Sequence, residues 1–320
     1  MSESVRLQMV ADVPLGAFLS GGVDSSTVVA LMQKHSSRPV KTFTIGFDQP
    51  EFNEAPFAKE VARHLGTEHT ELYVTSKDAE ELIPRLPFIY DEPFADSSQI
   101  PTTLVSHLTK QHVTVSLSGD GGDELFAGYP RYMLTSELWN KVNRLPLPVR
   151  RAVSAMLRIP SAAAWDRMLS VLPATRRQSI NGRRMHRLSQ LLVTSSLGEM
   201  YVRLMSQWQP EENLVLGLGR RPFELKHWIE DAAPIEAMRR WDVGQYLPDD
   251  LLVKVDRASM SASLEARAPL LDHRVVELAF ALPEHSLVRG GLVSGHCVRY
   301  FTVMCRVNSL SGQRRGSPFL

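Results

Sequence analysis

One stretch constrains the fold more than any other: "PLGAFLSGGVDSSTVVALM", Pro14 to Met32. Its apolar half stops at Ser20-Gly21-Gly22, and Asp24, Ser25 and Ser26 then open a helical pattern. A buried parallel strand that ends in a Gly-rich turn and feeds a helix makes an anion cradle, because the turn's N–H groups and the positive helix N-terminus converge. Gly21 and Gly22 let the backbone approach phosphate oxygens closely, and Ser20, Ser25 and Ser26 add hydroxyl donors. A single helix-end interaction is worth only ~0.3–1 kcal/mol, so affinity needs many donors and a metal. Asp24 repels bare phosphate and makes sense as a ligand of Mg²⁺, an ion held by one or two carboxylates together with substrate phosphates. The spacing fits neither the GxxxxGK(S/T) nor the GxGxxG phosphate loop.

Two periods alternate around this stretch. Strands are expected over Pro14–Ser20, Val40–Phe47, Thr70–Val74 and Val113–Gly119, and helices over Ser25–Lys34, Ala55–Leu65, Lys77–Ile89 and about Ile100–Lys110. Strands joined by crossover helices imply an α/β fold with a doubly wound parallel sheet. From about Met133 the strand signal vanishes, and helical segments are punctuated by Pro146, Pro148, Pro160 and Pro173. The expected division is a nucleotide-binding core over residues 1–132, a helical part over 133–291 and a separate tail over 292–320.

A net charge of +1 over 320 residues gives no reason to expect nucleic acid or an acidic membrane as partner. The two cysteines, Cys297 and Cys305, make a disulfide framework improbable and fit a cytoplasmic setting. No apolar run has the length of a membrane span, and the N-terminus lacks a signal-peptide pattern. Nine arginines between Arg150 and Arg187 accompany one acidic residue, Asp166. Without interleaved aromatics they read as a solvated helical face or a docking surface rather than an RNA site.

A second stretch, "VSLSGDGGDELFAGYPRY" from Val115 to Tyr132, again runs from a strand into a turn rich in glycine and carboxylate. Neighbouring strand ends in a doubly wound sheet line one crevice. Asp120, Asp123 and Glu124 would then face the first loop, and Asp24 and Asp123 would share one Mg²⁺. The alternative is an acidic, solvated loop.

With both loops placed, the chain resembles the synthetase half of glutamine-hydrolysing, class B asparagine synthetases over about Leu7 to Gly291. The markers are "DVPLGAFLSGGVDSS", "FTIGF", "EPFADSSQIP", "SGDGGDELFAGY" and "YLPDDLLVKVDRASMSASLEARAPLLDHRVVELA". The resemblance implies the ATP-pyrophosphatase fold and a ligase that activates aspartate, or another small carboxylate, as an acyl-adenylate for attack by ammonia. It implies that Leu19 and Ile45 frame adenine and ribose and that Ser118 and Gly119 close on the nucleotide. Ser20, Gly21, Gly22, Asp24, Ser25 and Ser26 would hold pyrophosphate, Asp24 and Asp123 would ligate Mg²⁺, and Asp120 would serve adenylate formation. Glu265 and Arg267 have two open readings, orienting substrate or nucleophile or, for Glu265, a buried structural ion pair with Arg267. Asp91, Glu92, Asp96 and Ser98 are expected in the same crevice. His64 and His69 lack a third metal ligand and read as surface or capping residues. A nucleotide-modifying ATP pyrophosphatase would share only the first loop.

Two departures from the family stand out. No cysteine precedes Cys297, so the glutaminase nucleophile is absent. Free ammonia, a separate glutaminase chain or a fragmentary gene are the open alternatives, and a homodimer stays open as well. The second departure is the tail, "LVSGHCVRYFTVMCRVNSLSGQRRGSPFL". There the family carries a basic stretch of the type R-P-K-x-G-F, whose lysine is thought to stabilise the adenylation transition state. Codons can be chosen for Val293 to Phe319 that, read in the adjacent frame, spell EWALRQVFHRYVPRELIERPKAGFAI, the missing segment. The expectation is a frameshifted tail, with the lost lysine codon straddling Gln313 and Arg314.

Overall fold

The computed structural model describes residues 1–48, 53–170, 181–206, 208, 225 and 227–288. The tail, with both cysteines, and Arg176 and Arg177 of the arginine run lie outside the described residues. The chain forms two compact units, one joining Met1–Tyr129 to the chain from Arg239 onward, the other made of Pro130–Met238. This differs from a simple cut at 132/133, because the chain returns to the first unit after its helical excursion.

The first unit holds five parallel strands, β1 (Leu15–Phe18), β2 (Lys41–Phe47), β3 (Glu68–Val74), β4 (Val115–Leu117) and β5 (Glu265–Arg267), in the order β3-β2-β1-β4-β5. Helices α1 (Ser2–Gln8), α2 (Val23–His35) and α3 (Ala55–Leu65) supply Val5, Val28, Leu31, Met32, Val61 and Ala62 to one apolar cluster, which also takes Ala17 and Leu19 from the β1 strand and its end. Phe18, the residue between those two, joins Phe43, Val113 and Leu264 in a second cluster. Alternate β1 side chains thus enter different cores, as a sheet covered on both faces requires. The chain winds from β1 out to β3 and then returns to place β4 on the other side of β1. The β1–β4 pair is therefore the topological switch point, with Gly16 opposite Ser116 and Ala17 opposite Leu117.

The single helix expected over Lys77–Ile89 is three pieces: α4 (Ser76–Leu82), a 3₁₀ turn at Ile83–Arg85 and α5 (Leu86–Tyr90). Pro84 and Pro87 lack the N–H that a continuous helix needs at those positions. α6 (Gln99–Lys110) precedes β4, so its N-terminus lies at the carboxyl edge of the sheet. α7 (Gly122–Leu125) is a single turn that follows β4.

The second unit contains α8 (Pro130–Val142), α9 (Leu147–Arg158), α10 (Ala162–Leu169), α11 (Gly182–Leu192) and α12 (Leu197–Met205) around Val142, Leu191, Leu192 and Met200. Part of its arginine run is built into this unit rather than solvated. Arg150, 5% exposed, donates to the carbonyls of Thr194 (2.8 Å) and Leu192 (3.4 Å), and Arg187 donates to Leu204 O at 2.6 Å. These carbonyls lie at or just beyond helix C-termini, where orphan acceptors and the negative dipole end favour guanidinium groups. After α13 (Pro234–Trp241) comes a π-helical stretch, Asp242–Leu251, which contains Pro248. α14 (Leu252–Ser261), β5 and α15 (His273–Ala281) then complete the first unit.

The pair β2–β3 contains a pH-sensitive contact. His69 Nδ1 lies 2.9 Å from Thr42 Oγ1, which is also 2.9 Å from Thr67 Oγ1. Burial holds the imidazole below its ordinary pKa of 6.5, against the opposing charge of Glu71. The unfolded chain therefore binds the proton more readily, and stability falls as pH drops from 6.5 toward the lower folded value. His69→Gln is expected to flatten the change of urea midpoint between about pH 7 and pH 5, the range in which histidine titrates. A slope as steep as that of the unaltered chain would assign the titration elsewhere.

Candidate active site

At the end of β1 the chain must turn sharply into α2. Gly21 does so with φ +78°, where an L side chain is strained, and a Cβ there would sit 2.8 Å from Ala58 N and Phe57 Cβ. Gly22 is the N-cap of α2 and carries no side chain to cap it. The first turn of a 13-residue helix thus begins at the carboxyl end of β1, with N–H groups that no capping side chain takes up. Ser20 Oγ and Ser25 Oγ lie 2.9 Å apart, and Gly22 N–H donates to Ser20 Oγ at 3.2 Å. Ser26 is fully buried, and its hydroxyl has no hydrogen bond.

The second loop packs directly on the first. A Cβ on Gly119 would lie 2.6 Å from Ser25 N and 3.0 Å from Asp24 C, and one on Gly122 would collide with the Asp24 carboxylate. Asp24 is thereby set against the start of α7, next in sequence to Asp123. Ser118 is held from the other side, its N–H donating to Arg267 O at 2.8 Å. The two strand-end loops thus meet at the switch point, the first turn of α2 with its Asp24 carboxylate packed against the turn that carries Asp120 and Asp123.

The sequence profile of the asparagine synthase family matches residues 1–294. The chain belongs to the asparagine synthase family. Among its relatives, asparagine synthetase (glutamine-hydrolyzing) 1 of Bacillus subtilis is 32% identical over 300 residues, 90% of this chain and 44% of that protein. Putative asparagine synthetase (glutamine-hydrolyzing) 2 of Methanocaldococcus jannaschii is 36% identical over 262 residues, 81% of this chain and 47% of its own. A putative asparagine synthetase (glutamine-hydrolyzing) of Mycobacterium tuberculosis is 34% identical over 293 residues, 88% of this chain and 41% of its own. The chain thus spans less than half the length of these curated relatives. Among the described residues, no helix is long and apolar enough to cross a membrane.

Within this asparagine synthase fold the other candidate residues fall into distinct settings. Leu19 is 1% exposed and packs in the core, whereas Ile45 is partly exposed near the end of β2. Asp120 follows β4, and burial pushes its carboxyl above the ordinary range, against a hydrogen bond from Ser118 and the charge of Lys254. Glu124 is 1% exposed, and its Oε1 accepts from Tyr129 Oη at 2.5 Å. Glu265 and Arg267 form an ion pair at 2.7 Å, but not the buried one that was among their readings, because the Glu265 side chain is 55% exposed; Arg267 also donates to Gln8 O and Val10 O.

The residue missed in the sequence is Lys254 on α14. Its Nζ donates to Asp96 Oδ2 and Ser98 Oγ, each at 2.7 Å, with the lysine side chain 11% exposed. Burial works to raise the Asp96 carboxyl, but the charge and hydrogen bond of Lys254, with two bonds from Ser98, hold it below its ordinary value. Asp91 and Glu92 are exposed, and Asp91 pairs with Arg257 at 3.0 Å. A lysine inside an apolar helical run is a signal, but its partners lie far away in sequence.

The residues suit the groups the family implies. The uncapped helix start, the side-chain-free cradle at Gly21 and Gly22 and the serine hydroxyls fit a pyrophosphate group. Among the described residues no three or more His, Cys, Asp or Glu gather as a metal cage. Two carboxylates, Asp24 and Asp123, still fit Mg²⁺, which completes its shell with phosphate and water.

Proposed function

We propose that this chain is an ATP-dependent amide-forming synthetase domain that activates a carboxylate, aspartate above all, as an acyl-adenylate. Ammonia then attacks, and the amide, AMP and pyrophosphate leave. The observation that carries this reading is the packing of two strand-end loops at one switch point, Gly119 on Ser25 and Gly122 on Asp24. In-line attack of a carboxylate on the α-phosphorus needs little covalent help and is governed by positioning and charge neutralisation. The Ser20–Gly22 turn and the start of α2 hold the leaving pyrophosphate, while Ser118 and Gly119 close on the nucleotide. Leu19 sits beneath the base site as core, and Ile45 lies at its edge. Asp24 and Asp123 would hold Mg²⁺, which when bound neutralises phosphate charge. Asp120, whose carboxyl burial pushes above the ordinary range, follows β4 at the same strand end and would serve adenylate formation.

The test is ATP–pyrophosphate exchange driven by a carboxylate. Label is expected to enter ATP when aspartate is present and to stay out without it. A rate independent of any carboxylate would refute the reading.

A second reading is favoured by the family match ending at residue 294, since codons can be chosen for the segment after it that spell a family-like stretch in the adjacent frame. In that reading the chain binds nucleotide but turns over weakly. Losing a cation aimed at developing charge costs ~2.7–4 kcal/mol, on the order of 10²–10³ in rate. Restoring the shifted frame from Val293 onward is then expected to raise exchange by that factor. An equal rate before and after restoration would eliminate it.

A further inference from the structure

We propose that Lys254 seats the acceptor carboxylate that is to be activated, an inference that rests on the synthetase reading and names the residue on which its acceptor selectivity turns. An ammonium group has three N–H donors. Two of those on Lys254 are fixed at 2.7 Å on Asp96 Oδ2 and Ser98 Oγ, which leaves one for a ligand. Asp96 is itself occupied, its Oδ1 accepting from Ser98 N at 2.8 Å and Ser98 Oγ at 2.7 Å. The carboxylate therefore acts as an anchor that aims the ammonium.

The backbone around it is clamped. Tyr90 Oη donates to Lys254 O at 3.4 Å, and Arg257 donates to Asp91 Oδ2 at 3.0 Å and Tyr90 O at 3.4 Å. These bonds tie α14 to the segment that leads into α6, so the cation is held at the carboxyl edge of the sheet. The loops there carry Asp24, Asp120 and Asp123. A carboxylate approaching ATP through such a crevice meets like charge, and a desolvated, immobile cation offsets that repulsion where mobile counterions would not. Lysine suits the task, because one compact charge with one remaining donor addresses a single oxygen without displacing the phosphates.

The experiment compares L-aspartate with L-asparagine, which lacks the side-chain carboxylate, by calorimetry on the full chain loaded with a non-hydrolysable ATP analogue, alongside exchange kinetics. Lys254→Met is expected to weaken aspartate binding by about 10- to 100-fold, the range of a charge-assisted hydrogen bond. Asparagine binding and the KM for ATP should stay within about twofold, and Lys254→Arg should restore most of the aspartate preference. If Lys254→Met does not fold, Ser98→Ala, which removes one anchor and keeps the charge, should still lower the aspartate-to-asparagine ratio.

Equal losses for both amino acids would make Lys254 a structural tie and overturn the inference. So would a rise confined to the KM for ATP, which would assign the cation to phosphate. If the unaltered chain binds aspartate in a Lys254-dependent way yet catalyses no exchange, the synthetase reading falls and the inference stands. If exchange proceeds in Lys254→Met with an unchanged KM for aspartate, the inference falls and the synthetase reading stands. A chain that binds neither amino acid overturns both.

Discussion

Gly119→Ala is expected to reduce nucleotide affinity and pyrophosphate exchange by about 100-fold or more, the cost of a misplacement on the order of 1 Å in a reacting site. The added methyl would meet Ser25 N at 2.6 Å and Ser25 Cα and Asp24 C at 3.0 Å. All three atoms belong to the backbone of the first turn of α2, so no side chain can swing aside. Relief requires the two loops to separate, which moves the Ser118–Gly119 wall away from the Ser20–Gly22 turn. Overpacking of this kind also destabilises by ~1–3 kcal/mol. Calorimetric titration with ATP, paired with thermal denaturation, separates the two effects. Wild-type nucleotide affinity in Gly119→Ala would show that the loops do not act as one site.

The largest effect on stability is expected from Arg239→Met. Arg239 is 2% exposed, and its guanidinium donates to Glu124 O at 3.3 Å, to Ala279 O at 3.0 Å and to Leu125 O. It also lies 4.7 Å from the ring centroid of Phe280. One planar fork thereby joins α7, the turn after β4, to the end of α15. Methionine fills the volume but leaves buried carbonyl oxygens without a donor, each worth ~1–3 kcal/mol. A net loss of about 3–5 kcal/mol follows, as for other broken buried networks of charge. At ~2–4 °C per kcal/mol for a unit of this size, the melting temperature should fall by roughly 10 °C. Arg239→Lys should recover little, because a single ammonium cannot span carbonyls on two elements. A melting temperature within about 2 °C of wild type in Arg239→Met would mean those carbonyls find other partners.

Much of the candidate site is legible in the sequence because its physics is local. A Gly-rich turn between a short apolar run and a helix specifies a cradle through residues that are neighbours in the chain, and α3 forms over the same residues, Ala55–Leu65, that its periodicity marks. β5 escaped notice for a plain reason. Its three residues, Glu265–Arg267, are too few to display alternation, and pairing with β4 alone makes them a strand. The burial of Glu124 against Tyr129 speaks against the solvated-loop alternative, and it depends on the single turn of α7 that follows β4.

The sequence by itself determined the kind of fold and the Gly-rich turns at the strand ends, since strand period, turn glycines and helix caps act between residues a few positions apart. Tertiary structure alone decided which loops meet, where Glu265 and Arg267 point, and that Lys254 joins Asp96 and Ser98 from 158 and 156 positions away. A hydrogen bond between such distant residues depends on the closure of the whole sheet, and no local pattern records it.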